Sequence, residues 1–173
     1  MLTLAKAPRH VAFVLFNVCA ALAFYSLIYA PARSQARQGG AEPWSATEGL
    51  QPADLASELS QKTEKAPTVV YVGFRTLFEG GHVPGAKFYG SASTEKGLAD
   101  LKAALGGLPR SADLIIYCGC CPFEKCPNIR PAYKALRELG FTHLRVLLLP
   151  TSFAKDWVEK GYPLEKGLRP AEK

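Results

Sequence analysis

Asp113-Leu114-Ile115-Ile116-Tyr117 runs without a break into Cys118-Gly119-Cys120-Cys121-Pro122-Phe123-Glu124-Lys125-Cys126. The first half reads as a buried strand, because a short unbroken apolar run implies that both faces are covered. The second half is a loop with four cysteines, and a helical pattern follows it. That pattern opens at Asn128, a candidate N-cap, and passes through Ala132, Leu136 and Leu139 to Gly140, a C-terminal stop. Strand, loop and helix in this order form one turn of a parallel α/β fold. The cysteines then lie beyond the carboxyl end of a strand, where such sheets bind their ligands.

The alternation extends to both sides. Thr68-Val69-Val70-Tyr71-Val72 is a second buried strand, Lys87-Phe88-Tyr89 a weaker one, and His143 to Leu149 a further one. Helical spacing marks residues 53–59 behind Pro52, then 92–105 with Leu98, Leu101 and Leu105 on one face, and finally 152–160. The expected fold class is α/β, a parallel sheet with helices on both faces.

Four cysteines this close together admit three explanations on spacing alone. Cys118 can be a nucleophile, since a thiolate at a strand end facing the next helix N-terminus gains from free N–H groups and the helix dipole. Lys125 and Arg130 would add positive charge, and the backbone from Gly119 onward would bind an anion. Alternatively, Cys118, Cys120, Cys121 and Cys126 supply enough thiolates for copper(I), zinc or an iron–sulfur centre, although the spacing lacks paired Cys-x2-Cys knuckles. As a third explanation, an exported domain can use them for disulfides that staple the loop, Cys120 or Cys121 pairing with Cys126.

The 173-residue chain has a net charge of +6 from 21 Lys+Arg and 15 Asp+Glu. Residues 1–41 hold four of the basic residues (Lys6, Arg9, Arg33, Arg37) and no acidic one, which leaves 17 against 15 in the remainder. The basic excess therefore flanks an apolar stretch, and no nucleic-acid partner is expected. Val11 to Ala30 carries no charged residue. As a helix it is long enough to cross a hydrocarbon layer of roughly 30 Å. Residues 1–30 are expected to be a membrane anchor or signal segment and 31–51, rich in Pro, Gly, Ser, Ala and Gln, a linker. The domain is expected over 52–166 and a tail over 167–173. The expected location is the cell membrane, single-pass, with an extracytoplasmic (periplasmic) domain; cleavage near Ala30-Pro31-Ala32 would make it periplasmic or secreted.

Taken together, several elements resemble the single-domain rhodaneses, the thiosulfate sulfurtransferase family. They are the strand end Tyr71-Val72-Gly73-Phe74-Arg75, the element Gly81-His82-Val83-Pro84-Gly85-Ala86, and the junction Tyr117-Cys118. Leu136-Arg137-Glu138-Leu139-Gly140-Phe141, Trp157 and Gly161-Tyr162-Pro163 complete the order. The resemblance implies a rhodanese-like parallel sheet of about five strands. It implies Cys118 as the catalytic nucleophile, carrying a sulfane sulfur from a donor such as thiosulfate to a thiophilic acceptor, a small thiol or a protein thiol. Gly119, Lys125 and Arg130 become the substrate-binding candidates, with no cofactor and no resident metal. His82 is expected to shape a turn rather than act as a base, and Trp157 to be a packing aromatic. The sequence departs from the family at Gly73, where an Asp is usual, and in a longer active loop. Its additional thiols Cys120, Cys121 and Cys126 are candidates for resolving a persulfide or binding a metal.

Overall fold

The computed structural model describes residues 42–61 and 66–168. Five strands run in the order β1 (Gly49–Leu50), β2 (Thr68–Tyr71), β3 (Lys87–Phe88), β4 (Leu114–Tyr117) and β5 (Leu144–Leu147). Four helices lie between them: α1 (Pro52–Ser60), α2 (Arg75–Gly80), α3 (Glu95–Leu105) and α4 (Ile129–Glu138). The sheet order is β1-β5-β4-β2-β3, with every pairing parallel. β4 is thus the central strand, hydrogen-bonded on both sides, and all four of its residues are buried.

Alternation along the strands divides the core into two layers. Leu114 and Ile116 join Val70, Val72, Leu101, Leu105, Ile129, Leu136 and Val146 on the face covered by α3 and α4. Ile115 and Tyr117 join Val69, Tyr71, Leu55, Phe78, Leu147 and Trp157 on the other. Each large apolar side chain so buried contributes about 1.5–3 kcal/mol by leaving water. Cys118 continues the period of Leu114 and Ile116, so it belongs to the α3/α4 layer.

The stretch 31–51 is not linker throughout. A 3-10 turn (Ala46–Glu48) and strand β1 lie within it, and β1 pairs with β5 through Gly49 opposite Val146 and Leu50 opposite Leu147. Two residues are too few to show a period, which is why composition alone hides them. The expected helix over 152–160 is also shorter, a π-helical turn at Ala154–Val158, because the Asp156 carboxylate accepts the N–H groups of Thr151 and Ser152 and starts it late. Trp157 packs in the core as expected, its Nε1 donating to Pro163 O at 2.7 Å. The expected membrane span Val11 to Ala30 lies outside the described residues. Among the described residues no helix is long and apolar enough to cross a membrane.

Candidate active site

The chain turns sharply after β4. Gly119 has φ of +72°, and a Cβ there would stand 2.6 Å from Phe153 Cβ and 2.9 Å from Phe153 N. Only glycine fits both the left-handed conformation and the space. Its carbonyl accepts Phe153 N–H at 3.0 Å, which fixes the turn against the last helical segment. The loop then passes through a 3-10 turn (Phe123–Lys125) and returns at Cys126, just ahead of α4.

This path gathers sulfur. Cys118 Sγ lies 3.1 Å from Cys120 Sγ, which lies 3.4 Å from Cys121 Sγ. The sulfur atoms of Cys118, Cys120 and Cys126 all fall within 4.8 Å of one another. All four loop thiols are free, and Cys118 and Cys126 are buried at 4% and 5% exposure.

Helix α4 meets Cys126, not Cys118. The N–H groups of Asn128 and Ile129 point at the Cys126 sulfur, so this thiolate receives the helix N-terminus that sequence spacing assigned to Cys118. Cys126 is held down at about 5, first by a hydrogen bond from the Cys118 thiol and then by those two backbone donors, against an opposing push from burial. Cys118 is held well above the usual thiol range, first by that same bond to Cys126 and then by burial; the backbone N–H of Cys120 opposes this. In the resting pair the proton sits on Cys118 and the charge on Cys126. Cys121 is pushed up to about 12, chiefly by burial.

Asn128 does not cap α4 with its side chain. It is fully buried, and its Oδ1 accepts from Ser91 Oγ and from Ser93 N–H, both at 2.8 Å. Its Nδ2 donates to Cys118 Sγ at 3.4 Å and Cys120 Sγ at 3.8 Å. The residue braces the thiol cluster against the loop that leads into α3. Sequence reasoning gave it a helix-end role; its position one residue after Pro127 in a cysteine loop was the signal available.

The remaining expected site residues separate. Gly119 lines the cavity with Cys118. Arg130 is turned away into the loop: its guanidinium donates to Phe123 O at 3.3 Å and Cys126 O at 3.4 Å and pairs with Glu42 at 2.5 Å. Lys125 is exposed, and neither basic residue lines the cavity beside Cys118. Lys125 ends the 3-10 turn and Arg130 lies in the first turn of α4, its guanidinium held by the loop carbonyls and Glu42. His82 is buried, donates through Nδ1 to Phe78 O at 2.8 Å and stacks on the Phe78 ring, which is the turn-shaping position expected. Val83 N–H reaches the Tyr117 hydroxyl at 3.0 Å, so the Gly81–Ala86 element is fastened directly to the active strand.

The cavity has a volume of about 470 Å³ and opens between α2 and the last helical segment. Tyr71 lies at its floor, and its buried hydroxyl has no hydrogen-bond partner. The Phe74 N–H faces that oxygen without completing a bond. Gly73 makes this possible: a Cβ there would collide with the Tyr71 hydroxyl and stand 3.0 Å from Cys118 Sγ.

Solved structures share this fold. The Rhodanese-like domain of the Alr3790 protein from Anabaena is 26% identical, with a TM-score of 0.50 over 69% of this chain and 79% of that one. The chain has a rhodanese-like fold. A crystal structure of the Alr3790 protein matches at 22% identity and a TM-score of 0.53, covering 68% of this chain and 82% of that one. SseA from Escherichia coli, a 3-mercaptopyruvate sulfotransferase, shares the fold at 18% identity and a TM-score of 0.50, covering 70% of this chain and 52% of its own. No family model and no curated protein matches the sequence.

Proposed function

We propose that the domain is a sulfurtransferase or persulfide carrier in which Cys118 takes a sulfane sulfur from a donor, such as thiosulfate, and passes it to a thiol acceptor. One observation carries this reading. Of the two buried, proton-sharing thiols, only Cys118 lines the cavity, while Cys126 stands behind it. Cys118 gives its proton to solvent, and its thiolate forms a bond to the donor's outer sulfur. The donor's own bond to that sulfur breaks, its electron pair leaving with the donor remnant. Cys120 N–H and Asn128 Nδ2 face the sulfur that becomes charged. An acceptor thiolate then attacks the outer sulfur, and Cys118 departs as a thiolate and recovers its proton from solvent.

The test is mass spectrometry of the loop peptide after exposure to excess thiosulfate or a thiosulfonate. The expected gain is one sulfur atom, on Cys118 and absent from Cys118→Ser; full charging of that variant would refute the proposal.

Three sulfur atoms within 4.8 Å of one another also favour a second reading, a non-catalytic rhodanese-fold module holding a soft metal ion on Cys118, Cys120 and Cys126. Stoichiometric metal in anaerobically purified protein that takes up no sulfur would support it. For location, the charge-free stretch Val11 to Ala30 supports a single-pass anchor with the domain extracytoplasmic, or a periplasmic or secreted domain if the segment is removed.

A further inference from the structure

The walls of the cavity are unlike those an inorganic dianion needs. Four large hydrophobic side chains are exposed among the described residues, and three of them, Leu77 (49%), Val158 (41%) and Leu164 (37%), line this cavity; Phe153 and Ala154 continue the wall. Exposed apolar side chains gathered at one place mark a binding surface. Among the described residues, Lys166 is the only charged side chain lining it, and it is exposed. At the buried end the Tyr71 hydroxyl, 3% exposed, has no partner. A buried hydroxyl without a partner is costly, and a ligand group that accepts from it removes that cost.

Resting on the sulfur-transfer reading above, we infer that the donor is an organic sulfane compound with an apolar body and a single negative charge, of the thiosulfonate or organic persulfide class. The apolar body lies against Leu77, Val158 and Leu164, and the charged sulfur group stands beside Cys118, where its terminal sulfur accepts from Tyr71. A thiosulfate dianion has no apolar surface to bury here and would lose its hydration against apolar walls. For a thiosulfonate the step balances without another reactant. The Cys118 thiolate bonds to the terminal sulfur, the bond from that sulfur to the sulfonyl sulfur breaks, and the electron pair leaves with the sulfinate. The Cys118 proton has gone to solvent.

The experiment compares benzenethiosulfonate, methanethiosulfonate and thiosulfate as donors to the full chain, reading the rate of sulfur addition to Cys118 by mass. The first two share one reacting group and differ in apolar bulk. The ring is expected to raise the second-order rate at least about tenfold over the methyl donor, with thiosulfate slowest. The double variant Leu77→Ser/Val158→Ser, altered only at exposed positions, should bring the two thiosulfonates to within about threefold of each other. Equal rates for them on the wild-type chain, or thiosulfate fastest, would overturn the inference and leave sulfur transfer standing, with the apolar rim open to a protein partner. Failure of all three donors to charge Cys118 would overturn both.

Discussion

Behind Cys118, towards α4, the sulfur meets two thiols, an amide and the Cys120 N–H, whereas in front of it the cavity wall is Leu77, Phe153, Val158 and Leu164. The two sides do different work on one atom. The polar side sets where the proton rests and steadies the charge that forms; the apolar side has almost no charge to offer and selects by shape and hydrophobic area. Protonation and donor choice should therefore respond to different substitutions.

The largest expected effect is on the polar side. Removing Cys126 takes away the bond that most strongly holds the Cys118 thiol up, together with the neighbouring charge. In Cys126→Ser the Cys118 thiol should therefore ionise at lower pH, and sulfur loading at roughly pH 8 should run faster than in the wild-type chain by on the order of tenfold. A pH–rate profile of loading by benzenethiosulfonate shows this, and superimposable profiles would remove Cys126 from the chemistry. Stability follows the Cys126 thiolate. A depressed thiol contributes fully above its unfolded value, near pH 9, and loses that contribution as pH falls toward about 5, which urea titrations across this window would register.

A middling effect is expected at Asn128. Asn128→Ala leaves Ser93 N–H and Ser91 Oγ without the carbonyl they share, at a cost of about 1–3 kcal/mol in denaturant unfolding. Donor preference, measured as the ratio of the two thiosulfonates, should not change, since Asn128 lies on the polar side. The smallest effect is at Lys125, exposed and outside the cavity; Lys125→Ala should leave loading rates within about twofold. A large loss there would mean that the outer face of the loop takes part in binding.

Much of this was legible in the residues. The buried strand ending at Cys118 follows from an apolar run, and the Gly81–Ala86 turn from its proline and glycine. The division of labour between Cys118 and Cys126 was not, because it depends on which sulfur the first turn of α4 meets after an eight-residue excursion, and spacing carries no direction. Arg130 shows the same limit from the other side: a basic residue one turn beyond a cysteine invites an electrostatic role, while its guanidinium is held by two loop carbonyls and Glu42. The place of the Tyr71 hydroxyl was hidden because the room it occupies arises from an absence, the side chain that Gly73 lacks.

The short strand β1 has a practical consequence for anyone trimming the chain. A version begun at Pro52, where helical periodicity first becomes plain, would strip Gly49 and Leu50 from β5 and leave its Val146–Leu147 backbone unpaired along the border of the sheet. It would also discard Glu42, the carboxylate that holds Arg130, and Trp44, which packs edge-on against Phe123. An open parallel edge is a template for self-association, so such a fragment should precipitate or oligomerise with its cysteine loop loosened, while one starting ahead of Glu42 should not.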